Sequence, residues 1–288
     1  MNEKIGIITD STCDIPAEII SRYGIEVIPL RILYSDREYR DGVDISAEEV
    51  YESLDKEVPT TSLPLPEDVE MVFQKFKDKG FTHLLAIHIS SGLSGTGQMM
   101  ETMASQAKDI IIKVVDSKSI SMGLGYMVIE AAKAAEKQMN FEAISKHIMA
   151  VRERLSVFFV LSTLEYLKRG GRIGKVSGTL GQLMNIKPII MVNPEGIYTT
   201  YTKVRGRKQS IEKMYDIARE TIAKAASNVA ICYGGAQAEA ISLAKRIEEL
   251  PNLKEIFLCD VSPVIGVHTG PGTLGFAILS DGEQEASR

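Results

Sequence analysis

The chain has 288 residues, 44% hydrophobic and 25% charged, with a formal net charge of −5. That is ordinary globular composition, long enough for one large or two ordinary domains, and its acidic balance argues against a general nucleic-acid or anionic-membrane binder. Cys13, Cys232 and Cys259 are widely spaced, with no CxxC pattern and no histidine cluster, which argues against a disulfide framework and a zinc site; no apolar run approaches a signal-peptide core or a membrane span, so the expected location is cytoplasmic.

In chain order, residues 5–8 form a short apolar strand running into Thr9-Asp10-Ser11-Thr12, and Pro16 opens a helix with Asp14 as N-cap. Residues 27–33 read as a second strand, placed at an edge or strand end by Pro29. After a turn at 39–42, Ser46 and Glu49 form a capping box that starts a helix to about residue 54. Residues 59–66 are too proline-rich for helix or central strand and read as an ordered loop, followed by an amphipathic helix over 67–79. Residues 84–89 are a buried strand bounded by Gly80 and Ser90-Ser91-Gly92, and 95–108 are helical with Met99, Met103 and Ala107 on one face. Such a strand–turn–helix junction gathers free N–H groups and the hydroxyls of Ser91, Ser94 and Thr96 at one point. It reads equally as an anion cradle and as a plain helix cap.

Residues 110–115 are another buried strand, Ile120, Leu124, Met127, Val128 and Ala131 form a helical stripe, and 141–154 are a further helix. This alternation predicts a parallel-sheet α/β/α domain over 1–155. Past residue 156 the texture changes. Glycine-rich basic turns at 168–175 (KRGGRIGK) and 203–208 (KVRGRK) enclose strands 189–192 and 197–201, which flank a hairpin turn at Asn193-Pro194-Glu195-Gly196. Helix 211–226, strand 229–233, helix 236–250, strand 255–259 and a closing strand 273–279 follow. The expected fold is α/β in two domains, the second an α+β domain with a mixed sheet over 156–281, then a disordered polar tail at 282–288.

Nucleotide signatures fail: Gly174-Lys175 lacks the leading glycine of a Walker A loop, and Gly95-Thr96-Gly97 lacks the third glycine of GxGxxG. Residues 92–96 resemble a nucleophile elbow, with Thr96 where the second glycine belongs. His83, His88 and His147 read as surface or structural residues, whereas His268 sits in a Gly/Pro loop, a setting that presents functional groups. Thr61-Ser62, the 91–96 turn and His268-Thr269 describe a carboxylate cradle as well as they describe a hydrolase. With no carboxylate placed to orient His268, the triad is weakened. Arg172 and Arg205 are candidate bidentate partners for carboxylate or phosphate, while Arg207 and Lys208 fit solvated surface charge. Met99, Met100 and Met103 suit either an adaptable tunnel wall or ordinary core packing. A regulatory interaction protein without ligand is a third class.

Asp10-Ser11-Thr12, residues 39–45 (YRDGVDI), Thr61-Ser62 with Pro64, residues 91–96 (SGLSGT), Gly171-Arg172-Ile173 and residues 268–272 (HTGPG) come in the order seen in the DegV family, which the chain resembles to about residue 279. The resemblance implies a bacterial two-domain protein that binds one long-chain fatty acid in an apolar tunnel. It implies no enzymatic activity of its own, no cofactor and no metal. The acyl carboxylate would be presented to a separate ATP-binding kinase subunit for acyl phosphate formation, in phospholipid metabolism, with at most transient membrane contact. It implies that Thr61, Ser94 and His268 hold the carboxylate, with Ser62, Gly92, Gly95 and Thr269 beside them and Arg172 and Arg205 at the head-group opening. The runner-up is a serine hydrolase or acyltransferase using Ser94 and His268. One departure stands out: the family usually continues Thr-Ser with Gln-Pro-Ser, and here Leu63-Pro64-Leu65 makes that rim more apolar.

Overall fold

The structure, a computed structural model, describes residues 3–179 and 185–282, without the side chains of 177–179. The polar tail expected at 282–288 lies, from residue 283, outside the described residues. In the first half, β1 (Ile5–Asp10), α1 (Ala17–Tyr23), β2 (Glu26–Ile28), β3 (Arg31–Leu33), β4 (Glu38–Arg40), α2 (Ala47–Ser53) and β5 (Thr60–Ser62) lead to α3 (Pro66–Asp78). Then come β6 (His83–His88), α4 (Thr96–Gln106), β7 (Ile111–Asp116), α5 (Met122–Glu136) and α6 (Phe141–Arg152). The second half holds β8 (Leu155–Val160), α7 (Glu165–Arg169), β9 (Ile186–Val192), β10 (Tyr198–Arg205) and α8 (Arg207–Ile222). It closes with β11 (Ser227–Gly234), α9 (Gln237–Ile247), β12 (Leu253–Asp260), α10 (Pro263–Thr269) and β13 (Thr273–Ser280).

The first sheet is parallel, in the order β2-β1-β6-β7. Its continuous apolar runs serve two faces: Ile8, Leu84 and Ala86 pack on Phe73 and Phe76 of α3 and Met100 of α4, while Ile7, Leu85 and Ile87 face the main core. The second sheet is mixed, in the order β10-β9-β8-β13-β11-β12, with β11 and β12 parallel and the rest antiparallel. The expected α/β class, one parallel sheet and one mixed, is what the chain forms.

Some elements differ from their sequence reading. Residues 27–33 are not one strand: the chain breaks after β2 at Pro29, which offers no ladder N–H, and β3 joins a separate antiparallel sheet, β4-β3-β5. Within the proline-rich segment expected to be a loop, Thr60–Ser62 is a short strand at the edge of that sheet. Asp14 does not cap α1. It adopts a left-handed conformation (φ 49°), and Pro16 occupies the N-cap without a side-chain bond. The capping box of Ser46 and Glu49 is present as read.

Helix α5 shows how the two sheets join. The sequence stripe suggests one buried face, yet residues from Met122 through Ile129 are buried all round. A helix apolar on every side needs packing on every side. It contacts β1 and β6 on one flank and β8 and β13 on the other, so one continuous core contains Ile87 of the first sheet together with Val157, Phe159 and Ala277 of the second. The hairpin turn after β9 adds a second link: Ser90 Oγ donates to Gly196 O at 2.8 Å. Gly196 has φ 78°, and a Cβ there would stand 1.9 Å from Ser90 Oγ, so only glycine permits the approach. No helix among the described residues is long and apolar enough to cross a membrane.

Asp10, fully buried at the end of β1, organises the turn after β6. Its Oδ1 accepts from Thr12 N (3.1 Å) and Thr12 Oγ1 (2.5 Å); its Oδ2 accepts from Ile89 N (2.9 Å) and meets His88 Nδ1 (3.0 Å). Burial would raise this carboxyl, but the His88 bond and charge, with Thr12 and Ile89, outweigh it and hold it below its ordinary value. Replacing Asp10 with alanine strands these donors in the core. Asp10→Ala is expected to lose about 3–5 kcal/mol, read as a fall in the urea unfolding midpoint.

Candidate functional site

His268 does not lie in an open loop. It occupies the last turn of α10, which Pro263 opens at a position needing no N–H and Gly270 ends at φ 69°. Its Nε2 meets Thr61 Oγ1 at 2.8 Å, across 207 residues of sequence. Thr61 reaches it because β5 alternates: Thr61 points inward while Thr60 and Ser62 are exposed. Ser94 enters from the turn after β6, where Leu93 N and Ser94 N both bond Ser90 O. Its Oγ lies 2.9 Å from Thr96 Oγ1 and accepts from Thr96 N at 3.3 Å, so the capping and cradle readings coexist in one side chain.

Thr61, Ser94, His268, Thr269 and Arg172 line one cavity, together with Thr12 of the turn after β1. Arg172 holds the opening together: its Nε donates to Leu93 O (3.1 Å) and its Nη1 to Gly170 O (2.7 Å), tying the basic turn to the Ser94 turn. The basic turn approaches so closely that a Cβ on Gly170 would stand 2.0 Å from His268 Nδ1. Burial, then the positive charge of Arg172, pushes the His268 pKa down to about 4. At neutral pH the imidazole is therefore uncharged, with one N–H to give.

A second cavity adjoins the first. Its walls are Val157, Phe159, Cys232, Val261, Gly275 and Ala277, and it shares Ile120, Tyr198, Ile265 and Thr269 with the polar cavity. The small residues of β11 and β13 leave a slot along the inner face of the second sheet. Each cavity measures about 40 Å³, room for about one water apiece.

Several expected site residues are not brought in. Ser62 faces outward, as the strand alternation requires. Gly92 serves packing: a Cβ there would stand 2.8 Å from Gly196 O, on the hairpin turn. Gly95 is exposed and faces Leu63. Arg205 is exposed at the far end of β10, roughly 23 Å along an extended strand from Tyr198, so it is not at the head-group cavity. Met99, Met100 and Met103 pack on the opposite face of the first sheet, as core rather than tunnel wall. Conversely, Thr12 and Tyr198 line the site, and the sequence assigned neither a role. Thr12 belongs to the Asp10-Ser11-Thr12 motif, whereas Tyr198 carried no local signal. Among the described residues no group of three or more metal-ligating side chains converges. Among the described residues the Ser94–His268 bond of a hydrolase is absent: His268 Nε2 is engaged with Thr61 and its buried Nδ1 meets no carboxylate.

Comparison with known proteins adds to this geometry. A model of the DegV family, described as uncharacterised proteins, matches residues 4–281. A DegV domain-containing protein of Clostridium acetobutylicum is 43% identical over 281 residues, spanning 97% of this chain and 100% of the relative. A DegV family protein of Thermus thermophilus, solved for its fatty acid binding, superposes with a TM-score of 0.90 at 34% identity, covering 96% of this chain and 100% of that one. A stearic acid-binding protein of Eubacterium ventriosum superposes with a TM-score of 0.87 at 27% identity, covering 96% and 98%.

The depressed acidity of His268 has a measurable consequence. Between about pH 6.5 and pH 4 the unfolded chain binds a proton at this residue and the folded chain does not, so stability falls as pH drops through that window. His268→Gln is expected to remove a component on the order of 3 kcal/mol from the difference between unfolding at pH 7 and at pH 4. Urea titrations of both proteins at the two pH values read it out.

Proposed function

Because the chain belongs to the DegV family, we propose that it binds one long-chain fatty acid, with the carboxylate between Thr61, Ser94 and His268 and the acyl chain in the adjoining apolar slot. The observation that carries this reading is the adjacency of the two cavities, which share wall residues. Polar side chains converge in one, apolar side chains line the other, and Ile120, Tyr198, Ile265 and Thr269 belong to both.

The energetics are consistent. Each buried methylene contributes about 0.8 kcal/mol, so a long acyl chain supplies roughly 10 kcal/mol before ordering costs. The carboxylate is expensive to desolvate unless donors meet it. Ser94 offers a hydroxyl, the Thr61–His268 pair the one donor hydrogen not used between them, and Arg172 a positive charge in the cavity wall. Thr269 completes the wall, although its hydroxyl donates to Ile265 O at 3.0 Å. Both cavities are too small for a chain as they stand, so their shared walls part on loading. Leu63 and Leu65, 36% and 41% exposed beside Thr61, give the mouth an apolar rim.

Once bound, the fatty acid is substrate for chemistry that this chain does not perform. The sequence carries no nucleotide signature, so acyl phosphate formation falls to a separate ATP-binding kinase subunit, to which this protein presents the carboxylate. Arg172 is the basic residue placed to meet an acyl phosphate or that subunit. In this reading the protein is a carrier rather than an enzyme, needs no cofactor, and acts in the cytoplasm in phospholipid metabolism. Residues 1–155 and 156–281 act as two domains with the fatty acid between them.

Organic extraction of the purified protein and mass spectrometry of the extract are expected to reveal a long-chain fatty acid. Ser94→Ala, Thr61→Val and His268→Ala are each expected to weaken retention roughly tenfold or more, the loss of one hydrogen bond to a charged group, while the folded state survives. Full affinity in all three variants would remove the carboxylate cradle. Labelling of Ser94 by a fluorophosphonate would instead favour the hydrolase reading, and none is expected.

A further inference from the structure

The motif at residues 39–45 and Asp14, two residues past the Asp10-Ser11-Thr12 motif, take no direct part in the carboxylate cradle, yet each sends a carboxyl group to the same place. Asp41 Oδ1 accepts from Val264 N at 2.8 Å, and Asp14 Oδ1 accepts from Ser262 N at 2.9 Å. These donors are the N-cap N–H of α10 and an N–H of its first turn, groups with no partner inside the helix. The far end of the same helix carries His268 and Thr269 into the polar cavity.

The rest of α10 is confined as well. Tyr51 of α2 lies against its flank, where a Cβ on Gly266 would stand 3.0 Å from the Tyr51 hydroxyl. Gly270, just past its end, admits the Tyr166 ring. From Val264 to His268 the helix rises about 6 Å, little more than one turn. A shift at its first turn is therefore passed to the imidazole with little loss. Asp41 is anchored in turn to the cavity wall: its N–H donates to Leu30 O at 2.9 Å, Leu30 N donates to Ser11 Oγ at 3.0 Å, and Leu30 lines the polar cavity. Asp14 is steadied by Ser121, whose Oγ donates to Asp14 Oδ2 at 2.5 Å.

We propose that Asp41, with Asp14 beside it, is a positioning residue: by holding the first turn of α10 it sets where the His268 imidazole stands against Thr61, and so sets fatty-acid affinity without touching the ligand. This rests on the fatty-acid reading above for its consequence in binding, but not for the placement of His268. It also gives residues 39–45 a task. Asp41 is 2% exposed. Burial raises the Asp41 carboxyl to about 7, so near neutrality much of the population is uncharged, a state that asparagine imitates while keeping the acceptor oxygen.

The test uses the full chain in two arms. In the first, ¹H–¹⁵N spectra of the histidine rings are recorded without ligand. Asp41→Asn is expected to leave the His268 signals in place, and Asp41→Ala to move them. In the second, displacement of a fluorescent fatty acid, cis-parinaric acid, gives the affinity. Asp41→Asn is expected to stay within about threefold of the parent and Asp41→Ala to lose tenfold or more. In a His268→Ala background, Asp41→Ala is expected to add little, since its effect passes through the imidazole. Asp14→Asn and Asp14→Ala repeat the comparison should Asp41→Ala fail to fold. Unmoved His268 signals in a folded Asp41→Ala protein, or a full additive loss in the double variant, would overturn the proposal. If the parent protein binds no fatty acid, the preceding reading falls, and the ring spectra still decide the placement of His268.

Discussion

A threonine hydroxyl and an uncharged imidazole, bonded to each other between two sheets, are the constraint around which the site is built. Thr61 belongs to an edge strand of the small sheet, and His268 to a short helix that leads into the last strand of the mixed one. Polar groups in such a place are tolerated only where they find partners. Thr61 supplies one for the imidazole Nε2, while burial and Arg172 make the ring hard to protonate. A neutral donor facing a small cavity can receive an anion without first losing an ion pair of its own.

The same economy recurs along the path from the sheets to the site. Asp10 gathers Thr12, His88 and Ile89 at the ends of β1 and β6, and two of those residues, Thr12 and Ile89, line the polar cavity. Asp14 and Asp41 gather the start of α10, whose end is His268. In each case a buried carboxyl group accepts from backbone N–H groups; at Asp10 the bonded residues line the cavity themselves, and in α10 it is His268, one turn on. The polar cavity is braced by these directional bonds, whereas the walls of the adjoining cavity are mostly aliphatic and aromatic, with Ser121, Thr269 and Thr273 as hydrogen-bonded exceptions.

The relation to proteins of known structure fits this division. The match covers nearly the whole chain, so both sheets belong to the common framework. The apolar rim at Leu63 and Leu65 is a feature of this chain's own sequence. These residues are exposed, and neither lines the polar cavity.

From the sequence alone, the period of the apolar residues determined most of the strands and helices, and the order of short motifs determined the family likeness. Both are local properties: alternation, capping boxes and hairpin turns act over a few residues, so they are readable without neighbours. Thr61, Ser94 and His268 were named as candidates from residue type and setting, but their meeting was decided by the tertiary structure, since 207 residues separate the first from the last. Faces and directions were likewise undecided in the sequence. Ser62 turned outward because a strand alternates against its partner, the methionines of α4 took the other side of the sheet, and Arg205 was carried away along β10. Tyr198 and Asp41 entered only through packing between distant elements. Such contacts depend on how the two sheets close on α5, which no single stretch of sequence specifies.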